Sequence, residues 1–359
     1  MKRVAIVGIQ GVPANYGGFE TMVENIIGDN CSEGIEYTIF CSSRDMSNTA
    51  SLKEYKGAKL RYVNRLRANG VQSTIYDVVS LLKCIGYRYD VILVLGVSGC
   101  LFLPIFRLMF KGKLIVNIDG LEHRRAKWGK FAKWFLKLSE ACAIRTADII
   151  IADNVGIKDY VTETYGKSSE MIAYGGDTVL RDITDDMRNT ILDRYGLKKS
   201  NYTICVCRIE PENNCHITLD AYSKSRRNLV FIGNWERSEY GTRLKNQYSI
   251  YSNIKILDAI YDLDTLYVLR SNAELYVHGH SAGGTNPSLV EAMFFGITIY
   301  AYDCIYNIES TFNKAHYYHN SDELLALLKE LPQNGECMRT LAYEHYTWHK
   351  ISTQYESLY

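Results

Sequence analysis

Short apolar runs alternate with longer amphipathic segments along most of the chain, and this alternation limits the fold more than any other feature. In the first half, runs of Val, Ile and Leu at 4–8, 37–41, 60–63, 91–95, 114–118, 149–152 and 171–173 read as strands. Helical patterns lie between them at 18–27, 74–87, 127–145 and 154–165. The strand runs are continuous rather than alternating, as expected when helices cover both faces of a sheet. This is the pattern of a doubly wound, parallel α/β sheet. A polar stretch opening at Tyr174-Gly175-Gly176-Asp177 interrupts the series until about residue 186. A second series follows, with strands at 203–207, 229–233, 254–257, 274–277, 297–301 and 316–318 and helices at 214–224, 263–271, 287–295, 322–330 and 336–357. Two Rossmann-like domains facing a cleft are expected, at 1–180 and 181–335, with a helical segment at 336–359 packing back toward the first. Ligands of such sheets sit at the carboxyl ends of the strands.

Composition excludes several function classes. The 359 residues carry 41 Lys+Arg against 40 Asp+Glu, which argues against nucleic-acid binding by bulk charge. A hydrophobic share of 47% with 23% charged residues is that of a globular chain, not a disordered one. The ten cysteines are scattered, mostly within apolar runs, and form no C-x-x-C pair. The apolar run at 4–8 is too short for a signal-peptide core. The charge-free run at 91–106 is broken by Gly96, Ser98, Gly99 and Pro104 and falls short of a membrane span. A reduced, cytoplasmic protein is expected.

Five segments can carry chemistry. The first strand ends in Gly8-Ile9-Gln10-Gly11-Val12-Pro13-Ala14-Asn15-Tyr16-Gly17-Gly18. A glycine-rich turn entering a helix offers an anion site, or is simply a tight turn, and its spacing is not G-x-G-x-x-G. In Gly283-Gly284-Thr285-Asn286-Pro287, Asn286 suits an N-cap and Pro287 a first helical position. A phosphate can sit there, with Glu291 one turn further on reaching sugar hydroxyls; the plainer alternative is a helix start with a solvated Glu. Arg208 follows a strand and can clamp a diphosphate, or pair with Glu210 or Glu212. Asp119, Glu122 and His123 cluster at another strand end, where one can orient an acceptor hydroxyl; alternatively Asp119 caps the loop and the other two are solvated. His278 and His280 resemble a metal pair but lack a third ligand, so they read as cleft-facing polar groups.

A basic, aromatic helix spans 124–138. Trp128, Phe131, Trp134, Phe135 and Leu138 share one face, and Lys130, Lys133 and Lys137 lie opposite. Docking at an anionic membrane surface is one reading. Packing of the aromatics in the core, with a solvated basic face, is the other and the one expected for the aromatics. The neighbouring apolar stretch at 101–110 keeps the first in play.

Taken together these segments resemble the retaining, family-four type of GT-B glycosyltransferase along essentially the whole chain. Gly17-Gly18-Phe19-Glu20 is similar to that family's N-terminal glycine loop, and Ala173-Tyr174-Gly175-Gly176-Asp177 to its interdomain crossing. Arg208-Ile209-Glu210-Pro211-Glu212-Asn213 resembles its phosphate clamp, and the segment from Gly284 to Met293 its donor-binding helix. More narrowly, Gln10 to Thr21 and Gly283 to Met293 are similar to the bacterial rhamnosyltransferase branch. The chain departs from the family pattern at three places. Gly283 stands where the first of two glutamates is usual, the second being Glu291. Asn213 replaces the clamp lysine, and Asp119 stands at the catalytic-histidine position.

The resemblance implies transfer of a sugar with retention, L-rhamnose from dTDP-rhamnose, onto a lipid-linked saccharide in surface polysaccharide synthesis. It implies catalytic roles for Asp119, Arg208 and Glu291. Donor contacts are expected from Gly17, Gly18, Arg208, Asn213, His278, Gly284, Thr285, Asn286 and Glu291, and acceptor contacts from Glu122 and His123. No metal or other cofactor is expected beyond the nucleotide-sugar substrate. The expected partners are that nucleotide sugar, the lipid-linked acceptor and, weakly, an anionic membrane surface, so that the protein is cytoplasmic and peripheral on the inner face of the plasma membrane. Two rivals remain: a nicotinamide-dependent oxidoreductase, disfavoured by the glycine spacing, and a non-catalytic binding protein for nucleotide sugars or polysaccharide.

Overall fold

The computed structural model describes residues 1–14, 17–46, 52–64, 70–125 and 128–359. Asn15 and Tyr16 of the glycine loop, and residue 127 of the expected fourth helix, lie outside the described residues. The chain divides into two compact units, Met1–Tyr174 with Trp348–Tyr359, and Gly175–Thr347.

The first unit holds eight strands: β1 (Lys2–Val7), β2 (Ile35–Ser42), β3 (Glu54–Tyr55), β4 (Ala58–Val63), β5 (Val91–Leu95), β6 (Lys113–Asn117), β7 (Ile149–Ala152) and β8 (Glu170–Met171). Its helices are α1 (Gly18–Gly28), α2 (Gly70–Ile85), α3 (Leu103–Met109), α4 (Lys130–Thr146) and α5 (Val155–Tyr165). The sheet order is β3-β4-β2-β1-β5-β6-β7-β8, parallel except for the antiparallel β3–β4 pair. All five residues of β5 are buried, which is why the run reads as uninterrupted Val, Ile and Leu. Strand order reverses between β1 and β5, paired from Val4↔Val91 to Val7↔Val94. Gly8 lies just past that pairing with φ 99°, where a Cβ would overlap the Leu95 carbonyl. Glycine is required there on both counts.

The second unit holds β9 (Thr203–Val206), β10 (Leu229–Ile232), β11 (Ile254–Leu257), β12 (Leu275–His278), β13 (Thr298–Tyr302) and β14 (His316–Tyr318) in the parallel order β11-β10-β9-β12-β13-β14. Its helices are α6 (Asp185–Arg194), α7 (Cys215–Ser223), α8 (Glu239–Tyr248), α9 (Leu263–Ser271), α10 (Pro287–Phe294), α11 (Ile305–Ser310), α12 (Ser321–Glu330) and α13 (Gly335–His345). The core is aromatic: Tyr222, Phe231, Trp235, Tyr300 and Tyr318 are fully buried. Their polar ends find partners, as buried phenols and indoles must. Tyr222 donates to Thr203 Oγ1 at 2.6 Å, and Trp235 Nε1 donates to the Leu257 carbonyl at 2.9 Å.

The break between units follows Tyr174, not residue 180. The expected terminal helix is two helices, α13 and α14 (Trp348–Ser357), and only the second belongs to the first unit. There Tyr355 accepts a hydrogen bond from Asn117 Nδ2 at 2.7 Å, beneath the end of β6. The short helices α3, α6, α8 and α11 were not expected. α6 starts inside the stretch read as a polar break, because its N-cap Thr184 and an acidic first turn specify a helix with few apolar positions. All ten cysteines are free. Among the described residues, no helix is long and apolar enough to cross a membrane.

Candidate active site

In the second unit the strand order reverses between β9 and β12. These two strands pair at only two positions, Leu275↔Thr203 and Tyr276↔Ile204. The loops that leave them are laced together. The Asn213 amide donates to the Arg208 carbonyl at 2.8 Å, and its Oδ1 lies 2.8 Å from His280 Nδ1. Asn214 Nδ2 donates to the Gly279 carbonyl at 2.9 Å, and the Ser281 N–H and hydroxyl both donate to the Glu212 carbonyl at 2.9 Å. A Cβ at Gly279 would overlap the Asn213 carbonyl, so close approach of the two loops depends on that glycine. With Asn213 donating through its amide to Arg208, its oxygen must accept from His280, which puts that proton on Nδ1.

Asn213 is buried, and both ends of its side-chain amide brace the loop. The side chain of Arg208 is 40% exposed, with Glu210 at 3.7 Å and Glu212 at 3.9 Å. These are the acidic partners that the plainer reading named, at distances too long for a bidentate fork. His278, at the end of β12, is buried, and its Nε2 has no hydrogen-bond partner. Burial, and after it the neighbouring His280, push its pKa well below the usual imidazole range, so the ring is neutral.

The next loop carries Gly283 in a left-handed conformation (φ 89°) and a buried Thr285. Asn286 is the N-cap of α10: its Oδ1 accepts the Ser288 N–H at 3.0 Å, with Pro287 at the first helical position. The cap was expected. It also uses one of the amides that a phosphate would otherwise take. Glu291 is not solvated. Arg270, at the end of α9 with 3% of its side chain exposed, donates to Glu291 Oε2 at 2.7 Å and to the Ser288 carbonyl at 3.1 Å. Its guanidinium lies 5.0 Å from the Phe295 ring centre. The carboxylate is thus oriented from beneath, with 26% of the Glu291 side chain open. Arg270 went unnoticed in the sequence, although a lone Arg beside the apolar Val268-Leu269 needs a partner.

In the first unit the glycine loop is filled by the chain itself. Glu20, in the first turn of α1, is buried and accepts the Gln10 N–H at 2.8 Å. A Cβ at Gly17 would overlap Glu20 Oε2, and one at Gly18 would come within 3.2 Å of the Tyr174 hydroxyl. Both glycines thus make room for side chains of their own unit. Burial raises the Glu20 carboxyl pKa; the Gln10 N–H opposes this, and Asp45 and Asp119 add to it. Asp119 has φ 60°, and its N–H donates to Asn117 Oδ1 at 2.9 Å. A left-handed Asp costs about 1–2 kcal/mol, a strain typical of functional positions. Burial raises the pKa values of the Tyr174 and Tyr355 hydroxyls, and Asp119 adds to both.

Glu122 and His123 are not in solvent either. Glu122 pairs with Arg125 Nε at 2.9 Å and accepts from Trp128 Nε1 at 3.0 Å. His123 Nδ1 lies 3.0 Å from Glu140 Oε2. Glu140, on α4, was missed in the sequence, where a helical Glu beside Lys137 reads as a surface pair. It is buried and also accepts from the Tyr160 and Tyr165 hydroxyls at 2.6 and 2.7 Å. Burial alone would raise its pKa, but the bonds from His123, Tyr160 and Tyr165 hold it down to about 2. Lys137 turns to Glu140 and Tyr160 rather than joining a free basic face. The aromatics expected in the core are outside it: Phe131 is 77% and Trp134 60% exposed.

No curated protein matches the chain in sequence. Residues 1–177 match a domain of unknown function, DUF1972, and residues 187–346 match the family described as Glycosyl transferases group 1. Among solved structures, sucrose-phosphate synthase from Thermosynechococcus elongatus superposes with a TM-score of 0.82 at 13% identity, over 100% of this chain and 98% of that one. The Anabaena protein HepE in complex with UDP-glucose gives 0.75 at 14% identity, over 100% and 99%. The lipopolysaccharide outer core galactosyltransferase WaaB gives 0.65 at 16% identity, over 99% and 98%. The two parallel-sheet units therefore have the GT-B fold, and residues 187–346, within the second unit, match the Glycosyl transferases group 1 model.

Proposed function

We propose that the protein is a retaining glycosyltransferase that takes a sugar from a nucleoside diphosphate. One observation carries the reading. At the strand-order reversal of the domain that matches group 1, two loops are pinned to each other, one carrying the half-exposed Arg208 and the other following His278, whose buried Nε2 has no hydrogen-bond partner. HepE, which shares the fold, has been solved with UDP and with UDP-glucose. In this reading the diphosphate lies at Arg208 and the start of α10, where the guanidinium and the positive end of the helix oppose the charge that grows as the glycosidic bond breaks. Glu291, held by Arg270, accepts a hydrogen bond from the donor ribose. Asn213 is a positioning residue: it fixes the Arg208 backbone. The acceptor hydroxyl is oriented by Asp119, and the departing phosphate takes its proton.

Similarity of Gln10–Thr21 and Gly283–Met293 to rhamnosyltransferases makes dTDP-L-rhamnose the proposed donor. The proposed acceptor is a lipid-linked saccharide. Exposed apolar side chains on the first unit support this: Leu101, Ile105 and Leu108 on one stretch, and Phe131 and Trp134 on α4, which also carries Lys130 and Lys133. Such side chains suit peripheral docking on anionic lipid. The test is a panel of labelled nucleotide sugars with a polyprenyl-linked saccharide acceptor, followed by NMR of the product's anomeric centre. Turnover with dTDP-rhamnose and retained configuration are expected. Turnover with another donor removes the rhamnose assignment, inversion removes the proposed mechanism, and binding without turnover favours the non-catalytic reading.

A further inference from the structure

We infer that Asp29, Cys31 and His349 form a binding site for a zinc-class divalent cation, distinct from the residues proposed for sugar transfer. Asp29 is the C-cap of α1, Cys31 lies in the turn that leads to β2, and His349 is the second residue of α14. All three belong to the first unit. Among the described residues theirs is the one cluster of three such ligand atoms, from His, Cys, Asp or Glu, within reach of a single ion. His349 Nδ1 lies 3.2 Å from Asp29 Oδ2 and 3.5 Å from Cys31 Sγ, and Sγ lies 3.5 Å from Asp29 Oδ2.

The triangle has the dimensions of one face of a zinc tetrahedron. Bonds of about 2.3 Å to sulfur, about 2.05 Å to imidazole nitrogen and about 2.0 Å to carboxylate oxygen, at tetrahedral angles, separate S from N by roughly 3.5 Å, S from O by roughly 3.5 Å and N from O by roughly 3.3 Å. Hydrogen bonding explains part of the triangle, since a protonated Nδ1 of His349 donates to Asp29 Oδ2 at 3.2 Å. The thiol has one proton and donates it to the Asp29 carbonyl at 2.8 Å, which leaves the contact of sulfur with the carboxylate at 3.5 Å without a proton between them. The donor set combines thiolate, imidazole and carboxylate, the ligands that zinc takes. The fourth vertex is open to water, since 75% of the His349 side chain and 40% of that of Asp29 are exposed.

Binding requires the thiolate. A free cysteine thiol is protonated at neutral pH, so the metal displaces a proton: the S–H bond breaks, the S–metal bond forms and the proton leaves to solvent. The Asp29 carbonyl contact must then lengthen, because it loses the shared proton. His349 binds as neutral imidazole through Nδ1. A bound ion would join residues 318 positions apart and hold the last helix to α1.

The test uses the full-length, reduced, chelator-treated protein titrated with Co²⁺ and then Zn²⁺. The expected result is one cobalt per chain with a thiolate-to-cobalt charge-transfer band, displaced by zinc. Zinc should also raise the melting temperature and slow proteolysis of the last helix. Cys31→Ser and His349→Ala should abolish the band, and Asp29→Asn should weaken binding at least about tenfold. Cys337→Ser, which removes the other exposed cysteine, should change nothing. A folded protein that gives no such band, or a band that survives Cys31→Ser, overturns the inference. Each variant is checked for native circular dichroism first, and none of these readouts depends on sugar transfer.

Discussion

Glu291→Gln tests the electrostatics of the second unit most directly. The substitution is nearly isosteric, but it removes the negative charge beside Arg270, whose side chain is only 3% exposed. Removing one partner of a fully buried ion pair costs about 3–5 kcal/mol. Glu291 is 26% exposed, and a glutamine oxygen still accepts one of the Arg270 N–H groups, so the loss falls to roughly 1.5–3 kcal/mol, the range of a charged hydrogen bond. For a unit of this size each kcal/mol moves the melting temperature by about 2–4 °C, so a drop of about 3–12 °C is expected. A solvated Glu would give almost none. Thermal unfolding followed by circular dichroism, with hydrogen exchange at α9 and α10 as a local readout, measures it. The double variant Arg270→Met/Glu291→Gln should be less destabilised than the sum of the two singles, by about 1 kcal/mol or more. Donor affinity, read by calorimetry, should fall about ten- to a hundredfold in Glu291→Gln, because about 1.4 kcal/mol separates each decade. It should also fall in Arg270→Met, which touches no ligand in the proposed reading. An unmoved melting curve with additive single effects would refute the pairing argument. An unmoved donor affinity would remove Glu291 from the proposed site.

Arg208→Ala should abolish turnover while leaving the melting curve nearly unchanged, because its two ion pairs, at 3.7 and 3.9 Å, are long and the guanidinium is half-exposed, so that together they contribute about 1 kcal/mol or less; a large loss of stability with turnover retained would count against the clamp. For Glu140, the folded pKa of about 2 lies below the ordinary 4.5, so its stabilisation is present above pH 4.5 and is lost as pH falls toward 2. That shift corresponds to about 3 kcal/mol, and the fall in melting temperature across the window should be smaller in Glu140→Gln. Glu20 has the opposite sign: its folded pKa is raised, so the ionised form destabilises the protein at higher pH. Glu20→Gln, which can still accept the Gln10 N–H, should therefore raise the melting temperature at pH 8 and lose that advantage as pH falls through the raised folded value, with none left below about 4.5. Sedimentation with anionic vesicles should weaken in Phe131→Ser/Trp134→Ser and in Lys130→Glu/Lys133→Glu, with Lys137 left in place because it belongs to the Glu140 cluster; unchanged sedimentation of both would remove this face as the contact.

The fold was legible because the strands are buried on both faces. β5, β7, β11 and β14 fall where the apolar runs put them, and α9 where its period does. What escaped was structure without an apolar signature, such as the polar α6 and α8, and the break at Tyr346-Thr347. The candidate site was legible in its loops and not in its partners. Asn286 and Pro287 announce a helix start through local chemistry, and the cap is there. Arg270 and Glu291 are 21 positions apart, and nothing local to either predicts that they meet. The same holds for His123 with Glu140 and, across 318 positions, for Cys31 with His349. The exposed Phe131 and Trp134 mark a different limit, since period alone gives the face of a helix and not what that face meets.

The two glycine-rich loops look alike in sequence, but electrostatics separates them. Each precedes a helix whose first turn carries a partial positive charge and unpaired N–H groups. In the first unit that position is answered by a carboxyl, Glu20, with Asp119 and Asp45 near enough to raise its pKa. A diphosphate placed there would meet like charge, whatever the glycines allow. In the second unit the helix start is answered by a neutral amide, Asn286, and the adjoining loop carries the half-exposed cation Arg208. The only carboxylate in the first turns of α10, Glu291, is neutralised by Arg270 from the buried side. The charge that a nucleoside diphosphate brings is therefore accommodated by the second loop and opposed by the first. In the proposed reading, donor binding in the second unit follows from charge alone, and the first unit, with its raised carboxyl and left-handed Asp119, is left to the neutral hydroxyls of an acceptor.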